Sequence, residues 1–251
     1  MRQTYPELEE TSYGKRVTAT NQFDNFNILW GEGSLYFFNS SVSPYVNEYC
    51  EALGFEYYNI YCDYASECLC SVKTLVSNQK VLAGFSDKHI FKEQQGIYYI
   101  YENPDFIPMG FCYDYCISRE RFDALDDDVK RRLMLKAMVT DDTSAVSGYL
   151  EEIPEDEIYA LTDEQLSEEC EKRRENCAES FTADRNGFSA EMTLETPELV
   201  FFSIPYSENF TAYIDGEKTE LSKANIGFMA VPVPSGSHSI RFEYHSKARD
   251  I

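Results

Sequence analysis

Tryptophan occurs once in this chain, at Trp30, histidine three times, and basic residues half as often as acidic ones. The 22 Lys and Arg stand against 44 Asp and Glu, a formal charge of −22, which repels nucleic-acid phosphate and anionic lipid headgroups. Nucleic acid is therefore excluded as a partner. No serine-hydrolase elbow, Walker A loop, dinucleotide-binding glycine loop or H-E-x-x-H helix occurs, so covalent, nucleotide and zinc-protease chemistry have no carrier here. His89, His238 and His245 lack a metal-ligand companion at useful spacing, and His238 is expected in a core or interface. The D-x-[DN]-x-[DN]-G calcium loop is missing too. There is no apolar run of 18 residues and no leader, which reads literally as cytoplasmic. A piece of a membrane protein would read the same way.

What is present begins with eight cysteines, at 50, 62, 68, 70, 112, 116, 170 and 177. None forms the C-x₂-C spacing of structural zinc or thioredoxin-like sites, and a chain this long needs no staples. Buried free thiols are expected, with disulfides as the alternative. Cys170 and Cys177, seven apart, are too distant to bridge within one helix. Rings are abundant: 19 Tyr and 17 Phe cannot all be interior, and a phenol at the surface offers a face to a sugar or a protein.

The charge is concentrated. Residues 141–180 hold 14 acids and three bases, half of the total excess, and read as a solvated linker and helix face. Within them Thr162-Asp-Glu-Gln165 is a capping box that should start a helix running to about Cys177. Ser43-Pro44 predicts a helix with Val46, Tyr49, Cys50 and Leu53 on one side and Gly54 as its stop. Further helices are expected over 120–125 and 129–139, and strands over 72–76, 80–85 and 96–102. Residues 57–70 show no dependable period.

The strongest pattern lies in the last third. Asn186-Gly187, Asp215-Gly216 and Pro234-Ser-Gly236 punctuate about seven short apolar runs, the pattern of antiparallel hairpins. Asp215-Gly216 is a turn rather than an acid site, and 44 acids guarantee chance pairs without supporting a glycosidase couple. The expected architecture is an α+β N-terminal domain followed by an all-β immunoglobulin-like sandwich domain. The boundaries are a disordered or extended start at 1–14, the α+β domain at 15–140, an acidic linker and helix at 141–178, the sandwich at 179–246, and at 247–251 the end of a piece cut from a longer chain.

Four stretches carry a resemblance. They are Phe38-Asn-Ser-Ser-Val-Ser-Pro44 with the helix behind it, Ser71-Val-Lys-Thr-Leu-Val-Ser77, Tyr101-Glu-Asn-Pro-Asp-Phe-Ile-Pro-Met-Gly110, and the tract from Phe201-Phe-Ser-Ile-Pro-Tyr206 to His238. In this order they resemble the extracytoplasmic region of bacterial YfhO-type multi-span membrane proteins, relatives of the GT-C glycosyltransferases that use lipid-linked sugars. Thr74 stands where the family usually has Tyr, and Phe210 where it often has Trp. The resemblance implies that catalytic acids lie in loops beside the membrane spans, outside these residues, so no catalytic residue, cofactor or metal ligand is carried over.

It implies a non-catalytic extracytoplasmic module at the cell membrane, serving cell-envelope polysaccharide or teichoic-acid glycosylation by positioning a glycan or acceptor. The expected partners are the transmembrane region of the same full-length chain and a cell-envelope glycan. The alternatives are a structural or protein-interaction module without a ligand and an independent glycan-processing enzyme. Candidate contacts are Asn39, beside Phe37 and Phe38, Asn103 with Tyr101, and Tyr206. An amide next to a ring can read sugar hydroxyls while the ring stacks on the sugar, although an Asn in a loop can equally cap its own backbone.

Overall fold

The computed structural model describes residues 15–19, 43–55, 63–80 and 86–245. The first strand, β1 (Arg16–Ala19), is followed by α1 (Pro44–Ala52), where Pro44 pre-sets the first helical turn and Gly54, at φ +68°, leaves it. Helix α2 (Tyr64–Leu69) falls in the stretch with no sequence period; its signal was Asp63, whose carboxylate caps the Ser66 amide at 2.8 Å. Strands β2 (Val72–Ser77), β3 (Ile90–Gln95) and β4 (Tyr98–Glu102) complete a sheet of order β1-β2-β4-β3. Residues 81–85 of the strand expected over 80–85, and the Asn39 segment, lie outside the described residues.

The middle of the chain departs from expectation. Strands β5 (Phe111–Cys112) and β6 (Tyr115–Ser118) lead into α3 (Arg119–Asp123) and α4 (Asp127–Leu133). The helix expected over 129–139 stops at Leu133, and β7 (Ala137–Thr140) takes over, buried at all four positions. Leu133, Ala137 and Met138 mimic helical spacing, but burial on both faces favours a strand in a parallel sheet. After α5 (Thr143–Val146), β8 (Glu151–Glu152) joins that sheet, whose order is β7-β6-β8 with both pairings parallel. Helix α6 (Asp163–Glu175) carries the predicted capping box in full, Thr162 and Gln165 each bonding the other's backbone.

The hairpin tract behaves as its turns demand. It comprises β9 (Ser180–Asp184), β10 (Gly187–Leu194), β11 (Glu198–Phe202), β12 (Phe210–Ile214), β13 (Glu217–Thr219), β14 (Ser222–Ala224), β15 (Phe228–Val233) and β16 (Gly236–Tyr244). Asp215 and Gly216 both take positive φ, as a two-residue hairpin requires. One sheet runs β13-β12-β16-β10-β9 and the other β14-β15-β11-β5. Phe188, Ile240 and Phe242 of the first share an apolar cluster with Val200, Phe202 and Val231 of the second, so the two sheets form layers over one core.

That core does not end at residue 179. Strand β5 pairs with β11 through Val200–Cys112 and Phe201–Phe111, adding an edge from the first half of the chain. A second cluster joins Tyr49 and Leu69 to Met138, Phe201 and Phe228. Arg173 fastens the acidic helix to this seam: it donates to the Cys112 carbonyl at 2.7 Å and to Asp114 at 2.6 Å, and lies over the Tyr113 ring. The seven described cysteines are free thiols, six of them buried.

Candidate functional site

Beside the seam, residues 204–210 leave β11, cross the N-terminus of α1 and enter β12. With Tyr45 of α1 and Tyr244 of β16 they wall an open groove of about 630 Å³. Tyr45 and Tyr206 meet edge to face, ring centres 5.0 Å apart and planes at 83°, while Phe210 and Tyr244 do the same at 5.1 Å and 67°. Ser207, Glu208 and Asn209 supply polar groups along the same wall. The Tyr206 phenol is raised above its usual pKa, by partial burial first and then by the neighbouring Tyr45 and Glu208, with Lys223 opposing.

The groove is held from behind by a buried turn. Asn225 and Ile226 both take left-handed backbone angles, φ +45° and +70°, which for a β-branched residue is strained. Asn225 is fully buried and exchanges backbone and side-chain bonds with Val139 of β7: N–H to the Val139 carbonyl at 2.9 Å, and Oδ1 accepting the Val139 amide at 2.8 Å. Its Nδ2 donates to the Tyr113 hydroxyl at 2.9 Å. Two residues on, the Gly227 carbonyl accepts the Tyr206 amide at 2.8 Å. A Cβ on Gly227 would lie 2.4 Å from the Tyr45 carbonyl oxygen. One strained turn thus sets both walls: Tyr206 by a hydrogen bond and Tyr45 by contact.

Arg16 holds the near end. Its buried guanidinium donates to the Ser203 carbonyl at 2.6 Å and the Ser203 hydroxyl at 2.9 Å, tying β1 to the residue that opens the groove loop. Gly227→Ala is expected to push α1 off this turn, costing about 1–3 kcal/mol of stability and spreading the Tyr45–Tyr206 pair. Denaturant titration and the near-ultraviolet dichroism of the tyrosines read both effects.

Of the sequence candidates among the described residues, only Tyr206 lies in the groove. Asn103 is turned inward, 2% exposed, its amide donating to the Val72 carbonyl at 3.1 Å and accepting the Asp105 amide at 3.0 Å. The bland option, an Asn capping its own loop, describes this side chain. Tyr101 is buried and donates its hydroxyl to the Lys80 carbonyl at 2.5 Å. Asn39 lies outside the described residues. Tyr45, Phe210, Asn209 and Tyr244 were missed as site residues, because nothing in their spacing brings residue 45 next to residues 206 and 244.

Two histidine pairs lie elsewhere. His238, expected in a core or interface, is only half-buried: its ring reaches the hairpin turn, Nδ1 2.6 Å from Asp215 and Nε2 3.1 Å from the Ser235 carbonyl. Those contacts, Asp215 first, raise the imidazole pKa, and both ring nitrogens face oxygen acceptors. His89 and Glu67 meet at 2.8 Å with both side chains 1% exposed, a pairing across 22 residues that sequence spacing did not suggest. Among the described residues no His, Cys, Asp and Glu cluster could hold a metal ion, and no helix is long and apolar enough to cross a membrane.

Compared with known proteins, residues 151–248 match the family described as bacterial membrane protein YfhO. That segment is less than half of the chain. It holds most of the groove, including Tyr206, Phe210 and Tyr244, while Tyr45 comes from outside the matched YfhO region. No curated protein and no solved structure matches the chain.

Proposed function

We propose that these residues form a non-catalytic, extracytoplasmic module of a YfhO-type membrane protein, positioning a cell-envelope glycan or glycan acceptor for the membrane part of the same chain. The observation that carries the reading is the groove, in which four rings and a run of Ser, Glu and Asn side chains line one open trough. Ligand sites combine apolar faces with a few placed polar groups, and a sugar needs both. The strained turn behind the groove supports it further, since strain of this kind persists where an arrangement is required.

Saturation-transfer NMR with fragments of cell-wall polysaccharide and glycosylated teichoic acid tests the reading on the folded chain. Transfer to sugar protons is expected in the wild type, and Tyr206→Ala should abolish it while leaving amide dispersion intact. Absence of transfer from every fragment would count decisively against a glycan role.

A second reading, a module that only steadies its neighbours, has its own observation. The hairpin of β3 and β4 exposes Ile90, Phe91 and Ile97, each about half accessible or more. Its distinguishing result is loss of association with the membrane part on Phe91→Glu, without any sugar binding in the wild type.

A further inference from the structure

Resting on the glycan reading, we infer that the groove takes the uncharged pyranose rings of an envelope polymer and turns away its phosphate-bearing backbone. The walls decide this. Two edge-to-face pairs, Tyr45–Tyr206 and Phe210–Tyr244, line the trough, and aromatic rings of this kind suit the C–H side of a pyranose while three of the four carry phenol hydroxyls. Asn209 adds an amide within reach of the Tyr244 hydroxyl, at 3.4 Å.

Charge supplies the discrimination. Among the described residues lining the groove there is no Lys, Arg or His, and the charged one is Glu208. Recognition of phosphate relies on guanidinium, ammonium or clustered backbone donors, and the Glu208 carboxylate at the side of the trough opposes an anion. The cation felt by Tyr206 is Lys223, and it is committed to Asp141 at 3.2 Å and Glu48 at 3.8 Å. The net −22 of the chain adds a field of the same sign. An uncharged ring passes these conditions; a phosphodiester chain meets no counter-charge.

The test titrates the ¹⁵N-labelled chain with three probes of matched length: N-acetylglucosamine oligomers, unsubstituted glycerol-phosphate oligomers, and glycerol-phosphate oligomers carrying N-acetylglucosamine. The expected result is amide shifts around Tyr206 with both sugar-bearing probes and none with bare glycerol phosphate. Tyr244→Ala, at an exposed position, and Tyr206→Ala should each weaken sugar binding by about tenfold or more, and Glu208→Lys should admit the bare phosphate probe. Bare glycerol phosphate binding the groove as well as the sugar probes do would overturn the inference and leave the glycan-positioning reading standing. Sugar shifts that persist in both tyrosine variants would overturn the assignment to this groove. Failure of all three probes would remove the inference and the glycan reading together.

Discussion

Asn225→Ala is expected to destabilise the fold by about 3 kcal/mol, a large share of a typical domain's margin. The side chain is fully buried and serves both the Val139 amide and the Tyr113 hydroxyl. Truncation leaves the Val139 N–H without its acceptor, a desolvation cost of about 1–3 kcal/mol, and asks alanine to hold a left-handed backbone at about 1 kcal/mol more. Tyr113 loses less, since its hydroxyl still donates to the Met134 carbonyl at 2.8 Å. Asn225→Gly separates the two costs. Glycine accepts φ +45° freely but supplies no side chain, so it should recover only about 1 kcal/mol of the loss. Urea titration of the three proteins measures this, and equal losses in the Ala and Gly variants would remove backbone strain from the account. Because Gly227 holds the Tyr206 amide, both variants should also loosen the groove, visible as a shift of the Tyr206 amide resonance.

Raising the pH from about 5 to about 8 is expected to cost the wild type roughly 3 kcal/mol more than it costs Glu67→Gln. Burial lifts the Glu67 carboxyl from the usual carboxylate range to about 7, against the opposing pull of His89. The folded state therefore holds a proton that the unfolded chain releases near pH 4.5, and the stability it contributes is lost as pH rises through 7. His89 acts in the same direction: burial works to lower it, but Glu67 and the Ser86 carbonyl outweigh that and raise it above its ordinary value. Its contribution is complete below 6.5 and lost above. The second Glu67 oxygen is buried with no hydrogen-bond partner, which is why the anion is costly there. Carboxylates held low, Asp163 by Arg132 and Asp184 by Arg241, lose stability only as pH falls below about 4, outside this window. Denaturant midpoints at four pH values, compared between wild type and Glu67→Gln, give the result; parallel curves would clear the pair of any role.

Local chemistry in the chain was readable wherever it is self-contained. Pro44 pre-sets the first turn of one helix and Gly54 ends it, Thr162 and Gln165 cap another, and Asn186-Gly187 and Asp215-Gly216 close hairpins, because each motif acts on its own stretch of backbone. The segments that misled were those decided by neighbours. Residues 137–140 carry helical spacing but are surrounded on both faces, so they pair with β6 instead. Asn103 and Tyr206 looked alike as candidates, and only packing turned one inward and left the other on an open wall.

The sequence by itself determined the hairpin tract, the helices begun at Ser43-Pro44 and at Thr162, the excess of negative charge and the similarity of residues 151–248 to the YfhO family, since these reside in contiguous residues and in simple sums. Tertiary structure alone decided the groove, the Glu67–His89 pair and the strained turn. Each joins residues that are between 22 and 199 positions apart, Glu67 to His89 at one extreme and Tyr45 to Tyr244 at the other. Contacts over such separations depend on how sheets and helices stack, and no local propensity encodes them.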